Sequence, residues 1–183
     1  MSDNRFKDHL GRPIIAVTGM GVITSLGQGL EDNWAALTSG TSGIHKISRF
    51  PTEGLSTRIS GTVDFIDVPV GNAVGRSYAF ARETTSEALA QAGLPGDFDG
   101  PLFLAAPPVE PEWSARFELA DRAPPSEAEG DVYDRFLTAM RERPDPAFLE
   151  AVQFGSISER LSDRFGTRGL PVTLSTACAS GAT

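Results

Sequence analysis

Apolar and polar positions alternate along this chain between short continuous runs and longer stretches with helical spacing. Ile14-Ile15-Ala16-Val17 is uninterrupted and predicts a central buried strand, because strands covered on both faces lose the alternation of half-buried ones. Glycines at 19, 21 and 27 then mark a turn. Leu30, Trp34 and Leu37 share one face of a helix over 30–37. Glu31 and Asp32 lie in its first turn, and Gly40 is its stop signal. Residues 41–55 read as a loop that contains His45, and residues 58–65 as a strand near a sheet edge. Residues 75–93 predict a helix with Tyr78, Ala81, Thr85, Ala88, Leu89 and Ala92 on the buried side, closed by Gly93.

Residues 100–106 predict a second buried strand. The prolines at 107, 108, 111, 124 and 125, with Gly130 and several acids, make 107–131 an excursion at the surface. A helix over 131–142 carries Val132, Phe136, Leu137 and Met140. Pro144 and Pro146 separate it from one longer helix. There Phe154, Ile157, Leu161 and Phe165 recur at spacings of three, four and four, a core stripe that ends at Gly166. Val172 to Leu174 then suits a buried strand, followed by a corner of small residues. Strands and helices in this order indicate an α/β layered fold.

Composition narrows the reading. At 183 residues the chain can form one domain with a sizeable core, here 13–183, with 1–12 as a flexible tail. The net charge of -8 argues against nucleic acid as a partner. No apolar run reaches the ~18 residues of a membrane span. A single cysteine cannot form an internal disulfide and fits a reducing cytoplasm. Gly19-Met20-Gly21 lacks the third glycine of a dinucleotide cradle, and no Gly-Lys-Ser/Thr follows. Neither a cofactor nor a metal is expected. His45, in its loop, reads as solvated.

The chemistry converges on Cys178. It stands at the apex of Ser175-Thr176-Ala177-Cys178-Ala179-Ser180-Gly181, directly after a strand. The small residues around it let another backbone approach the sulfur, as on the strand-to-helix turns that carry nucleophiles. Amides of a helix beginning there would favour thiolate. An arbitrary lone cysteine is more often a small buried hydrophobe, so the motif around it decides the reading.

That motif resembles the active site of the β-ketoacyl-acyl carrier protein synthases, condensing enzymes of fatty acid synthesis within the thiolase superfamily. Two further stretches agree in order and spacing. Val17 to Gly27 looks like the family's first strand and following turn, and Gly166-Thr167-Arg168-Gly169-Leu170-Pro171 like its lead-in to the nucleophile strand. The resemblance implies a thiolase-like layered α/β/α fold, a mixed sheet covered by helices, of which this chain holds only the N-terminal half, truncated just after the nucleophile. It implies Cys178 as the residue that accepts the acyl group, with its own amide as the first oxyanion donor. It implies acyl carrier protein, bearing acyl and malonyl groups, as partner, and a homodimer in the complete protein.

In the family two histidines, a lysine and a second oxyanion donor follow the cysteine. Residues 179–183 supply none of them, so the chain alone is expected to be inactive. The family's carrier-docking cations are represented only by Arg76 and Arg82. Pro107-Pro108 stand where the family has a glycine-rich turn that gates the acyl pocket. The alternatives are a non-catalytic partner of a ketosynthase dimer, against which Cys178 argues, a split subunit that works with a C-terminal half on a second chain, and a cysteine hydrolase, which lacks a downstream histidine.

Overall fold

In the computed structural model, which describes residues 6–69, 72–94, 96–107, 111–122 and 131–182, the first apolar run does not become a buried strand. Ile15 is 91% exposed and Val17 79%. A strand needs neighbours for its N–H and C=O groups, and among the described residues no strand pairs with 14–18. The flanks hold this segment instead. Upstream, Ile14 N donates to Phe6 O at 2.8 Å, and the Asp8 carboxylate accepts from the amides of Leu10 and Arg12 at 2.8 and 2.9 Å. Downstream, the glycine turn lies against a helix described below.

β1 (Ile23–Thr24) and β2 (Gly27–Gln28) form an antiparallel ribbon that leads into α1 (Gly29–Thr38). β3 (His45–Lys46) pairs with β4 (Ile59–Ser60), so the strand expected over 58–65 shrinks to two residues. α2 (Ala73–Gln91) starts at Asn72, whose side chain accepts from Gly75 N. β5 (Phe103–Ala105) follows. α3 (Trp113–Ala120) falls inside the stretch expected to be an irregular excursion. Pro124, Pro125 and Gly130 of that stretch lie outside the described residues, as do Pro108 and Thr183.

α4 (Val132–Glu142) is capped by Asp131, and α5 (Pro146–Ala151) by Asp145 with Pro146 in its first turn. α6 (Ser156–Phe165) is separate from α5, so the single helix predicted after Pro146 is two. Phe154 falls in the break and is half-exposed, while Ile157, Leu161 and Phe165 keep the stripe and are buried. Gly166, at φ 62°, stops α6 in the left-handed conformation that glycine adopts without cost. β6 (Val172–Leu174) runs parallel to β5, with Phe103 opposite Val172 and Ala105 opposite Leu174. A 3-10 turn, Ala177–Ala182, ends the described chain.

The core is where α2 meets α6. Val74, Leu89, Ile157, Leu161 and Phe165 form one cluster, with Tyr78, Phe98, Leu102 and Leu104 packed against it. Leu102 and Leu104 bring the cluster under one face of the β5–β6 pair. The opposite face, with Phe103 and Val172, stays open. The expectation of strands buried on both faces therefore holds for one face only. No helix among the described residues is long and apolar enough to cross a membrane.

Candidate active site at the Cys178 corner

The strand pair delivers the corner. Parallel pairing continues one residue past β5, where Ala106 N donates to Leu174 O at 3.1 Å. Three residues beyond the end of β6 the chain turns sharply. Ala177 has φ 51°, and among the described residues no other non-glycine residue has positive φ. A side-chain-bearing residue there costs about 1–2 kcal/mol against the right-handed conformation, and such strain collects at functional sites. Ala179 N returns to Thr176 O at 3.2 Å.

Cys178 is an exposed free thiol. It opens into a cleft of about 490 Å³ lined by Ala105, Ala106, Pro107, Ser175, Ala177 and Ser180. The walls are small or rigid, so the sulfur is reachable from the cleft. Pro107, half of the proline pair that stands where the family has its glycine-rich gating turn, is in that wall.

The chain's histidines do not line this cleft. His45 sits on β3. Its Nδ1 is 3.1 Å from Gly43 O, and its Nε2 is 2.6 Å from Thr62 Oγ1 and 3.1 Å from Asp64 Oδ2. Thr62 Oγ1 donates to the same Asp64 oxygen at 2.7 Å. The Thr62 hydroxyl holds the Asp64 carboxyl below its ordinary range, against the opposing effect of burial, and His45 helps. Hydroxyl and carboxylate meet the same ring nitrogen, so this is not a relay with the acid behind the base and the nucleophile in front of it. It ties the β3–β4 ribbon together, and the loop histidine read as solvated has structural partners.

The two arginines expected near α2 are both engaged. Arg76 is 8% exposed. Its Nη1 and Nη2 donate to Val63 O and Val68 O at 3.4 and 3.5 Å, and its Nε has no hydrogen-bond partner. Arg82 is paired with the adjacent Glu83. Sequence patterning did not separate these two fates, because the loop that covers Arg76 is brought in by tertiary contacts.

The glycine turn is explained by packing. A Cβ on Gly19 would land on the Ala88 carbonyl, and one on Gly21 on the Thr84 carbonyl, so only glycine lets the turn lie on α2. Its amides are taken up by α2 side chains: Met20 N donates to Gln91 Oε1 at 2.7 Å and Val22 N to Glu87 Oε2 at 2.9 Å. The other Glu87 oxygen accepts from Leu30 N at 2.8 Å. Asn33, buried, receives the Thr24 hydroxyl and donates to Gly27 O and Gly29 O. Sequence reasoning missed Glu87, Gln91 and Asn33, since a polar residue on a helix gives no sign of the distant amides it meets.

Comparison with known proteins places this architecture. The fold is that of the thiolase-like ketosynthases. It superposes on the ishigamide ketosynthase/chain length factor with a TM-score of 0.62 and 25% identity, over 88% of this chain and 40% of that one. Residues 13–101 match the model of the beta-ketoacyl synthase N-terminal domain. Two curated relatives extend the likeness to 91% of the chain: 3-oxoacyl-[acyl-carrier-protein] synthase 2 of Vibrio cholerae at 28% identity and that of Coxiella burnetii at 27%. The chain is therefore similar to the β-ketoacyl synthases over most of its length, with the family's N-terminal domain model matched over just under half of it. It spans 39% of the length of each of those two relatives.

Proposed function

We propose that this chain carries the acyl-accepting part of a β-ketoacyl-acyl carrier protein synthase of fatty acid biosynthesis. The Cys178 thiolate attacks the carbonyl of an acyl thioester on the carrier protein. A thioester to Cys178 forms, and the carrier thiolate leaves. The Cys178 amide is the first donor to the oxyanion of that step. In the second half-reaction malonyl-carrier protein loses carbon dioxide, and its carbanion displaces Cys178 from the acyl carbonyl, forming the new carbon–carbon bond. No described residue of the Cys178 cleft is a histidine or lysine, and no described residue is assigned to the decarboxylation.

One observation carries the reading. Cys178 is an exposed thiol on a left-handed turn at the end of a parallel strand pair, in a chain similar over 91% of its length to synthases named for this reaction. Acyl carrier protein as partner follows from those relatives' names. A homodimer in a cytoplasmic setting is supported by the large apolar side chains this chain alone leaves in water, such as Ile15 and Leu170, and by its lone free cysteine.

The test is acylation of the full-length protein by hexanoyl-acyl carrier protein, read by mass spectrometry of the Cys178 peptide. Wild type takes up one hexanoyl group there, and Cys178→Ala takes up none while keeping its melting temperature. A stable acyl adduct on the alanine variant would overturn the assignment.

A further inference from the structure

The corner that presents Cys178 depends on a hydroxyl two residues further on. Thr176 N donates to Ser180 Oγ at 2.8 Å, and Ser180 Oγ donates to Ala177 O at 2.8 Å. A serine hydroxyl has one proton and two lone pairs, and here it accepts on one side of Ala177 and donates on the other. The bridged residue is the one held at φ 51°. The bridge therefore clamps the backbone on both sides of the strained residue immediately before the sulfur. Ser180 also stands between two clefts: the one that holds Cys178, and a second lined by Phe103, Ala105, Val172, Leu174 and Gly181. Its side chain lines both.

From this bridge we infer that Ser180 is a positioning residue for the nucleophile: its hydroxyl holds Ala177 left-handed and so fixes where the Cys178 sulfur points. The inference rests on the reading of Cys178 as the acyl acceptor and adds to it a residue that never touches the acyl group. Three consequences follow from the chemistry. Alanine at 180 removes both hydrogen bonds and lets Ala177 relax. Threonine keeps the hydroxyl and adds a methyl group at a residue that borders two clefts. Glycine at 177 removes the conformational penalty the bridge works against, so the corner then needs the bridge less.

The experiment measures single-turnover acylation of the full-length protein by hexanoyl-acyl carrier protein, with melting temperatures alongside. Ser180→Ala is expected to lower the acylation rate at saturating donor about tenfold, the size of ~1.4 kcal/mol of lost alignment, with the half-saturating donor concentration unchanged. Ser180→Thr stays within about twofold of wild type, about 0.4 kcal/mol, and Ala177→Gly in the Ser180→Ala background recovers at least half of the loss on a logarithmic scale. Wild-type acylation by Ser180→Ala overturns the inference, and so does a Ser180→Thr variant as slow as the alanine one. The same variants are scored for iodoacetamide labelling of Cys178, which needs no acyl chemistry. If wild type accepts no hexanoyl group, the proposed function fails. Ser180 is then judged by labelling alone: a change of fivefold or more in Ser180→Ala, about 1 kcal/mol, reversed in Ser180→Thr, supports it, and an unchanged rate overturns it.

Discussion

Ser158 Oγ lies 2.7 Å from Thr173 Oγ1, so the most deeply buried hydroxyl of α6 is tied to the strand that delivers the Cys178 corner. Ser158 spends its own proton on Gly155 O at 2.9 Å. The Thr173 hydroxyl is therefore the donor between the two side chains. This contact and the β5–β6 ladder fix β6 from two directions, one from the helix beneath it and one from the neighbouring strand.

Removing that hydroxyl tests the first of these restraints. Ser158→Ala leaves Thr173 without its acceptor and Gly155 O with only the Glu159 amide as donor, in a site 1% exposed. The expected loss is about 1–2 kcal/mol of unfolding free energy, read from denaturant melts of the full-length protein. Unchanged stability would show that β6 is held by the ladder alone.

Glu87 is the corresponding restraint on the glycine turn. Each of its oxygens accepts one backbone amide, Val22 N at 2.9 Å and Leu30 N at 2.8 Å. Glu87→Gln keeps the shape but turns an amide NH2 towards one of those N–H groups. The expected cost is about 1.5–3 kcal/mol, the range for a hydrogen bond to a charged group. Amide exchange at Val22 and Leu30 is the sharper check. Protection at one of the two should fall while that of the α2 interior is retained.

The acid side of the stability profile belongs in part to Asp64. Its carboxyl is held below the ordinary value of 3.8, first by the Thr62 hydroxyl and then by His45, with Arg49 contributing charge. A carboxyl depressed in the folded state stabilises above its unfolded value, and that contribution disappears as pH falls through the folded value. The difference in stability between wild type and Asp64→Asn should be present at neutral pH and close as pH drops below 3.8. A difference that stays constant across that range would remove Asp64 from the acid response.

Local chemistry left a clear imprint on the chain. The helix after the first turn, the long helix that became α2, the buried stripe of Ile157, Leu161 and Phe165, and the stop at Gly166 all follow from spacing and capping over a few residues. The Cys178 corner was also legible, because small residues after an apolar run form a compact signature. What spacing could not supply was the identity of the neighbour. Ile14 to Val17 is as apolar as any strand in the chain, yet among the described residues no strand pairs with it and Ile15 faces solvent. Arg76 and Arg82 read alike along α2, and tertiary packing buried one under a loop and left the other with Glu83. The Ser180 bridge closes only once the corner has turned. Periodicity specifies which face of an element is apolar and which side chains can donate or accept. The partner that covers that face or satisfies that group arrives from a distant part of the chain, and its cost in loop closure and desolvation is settled only when the elements pack.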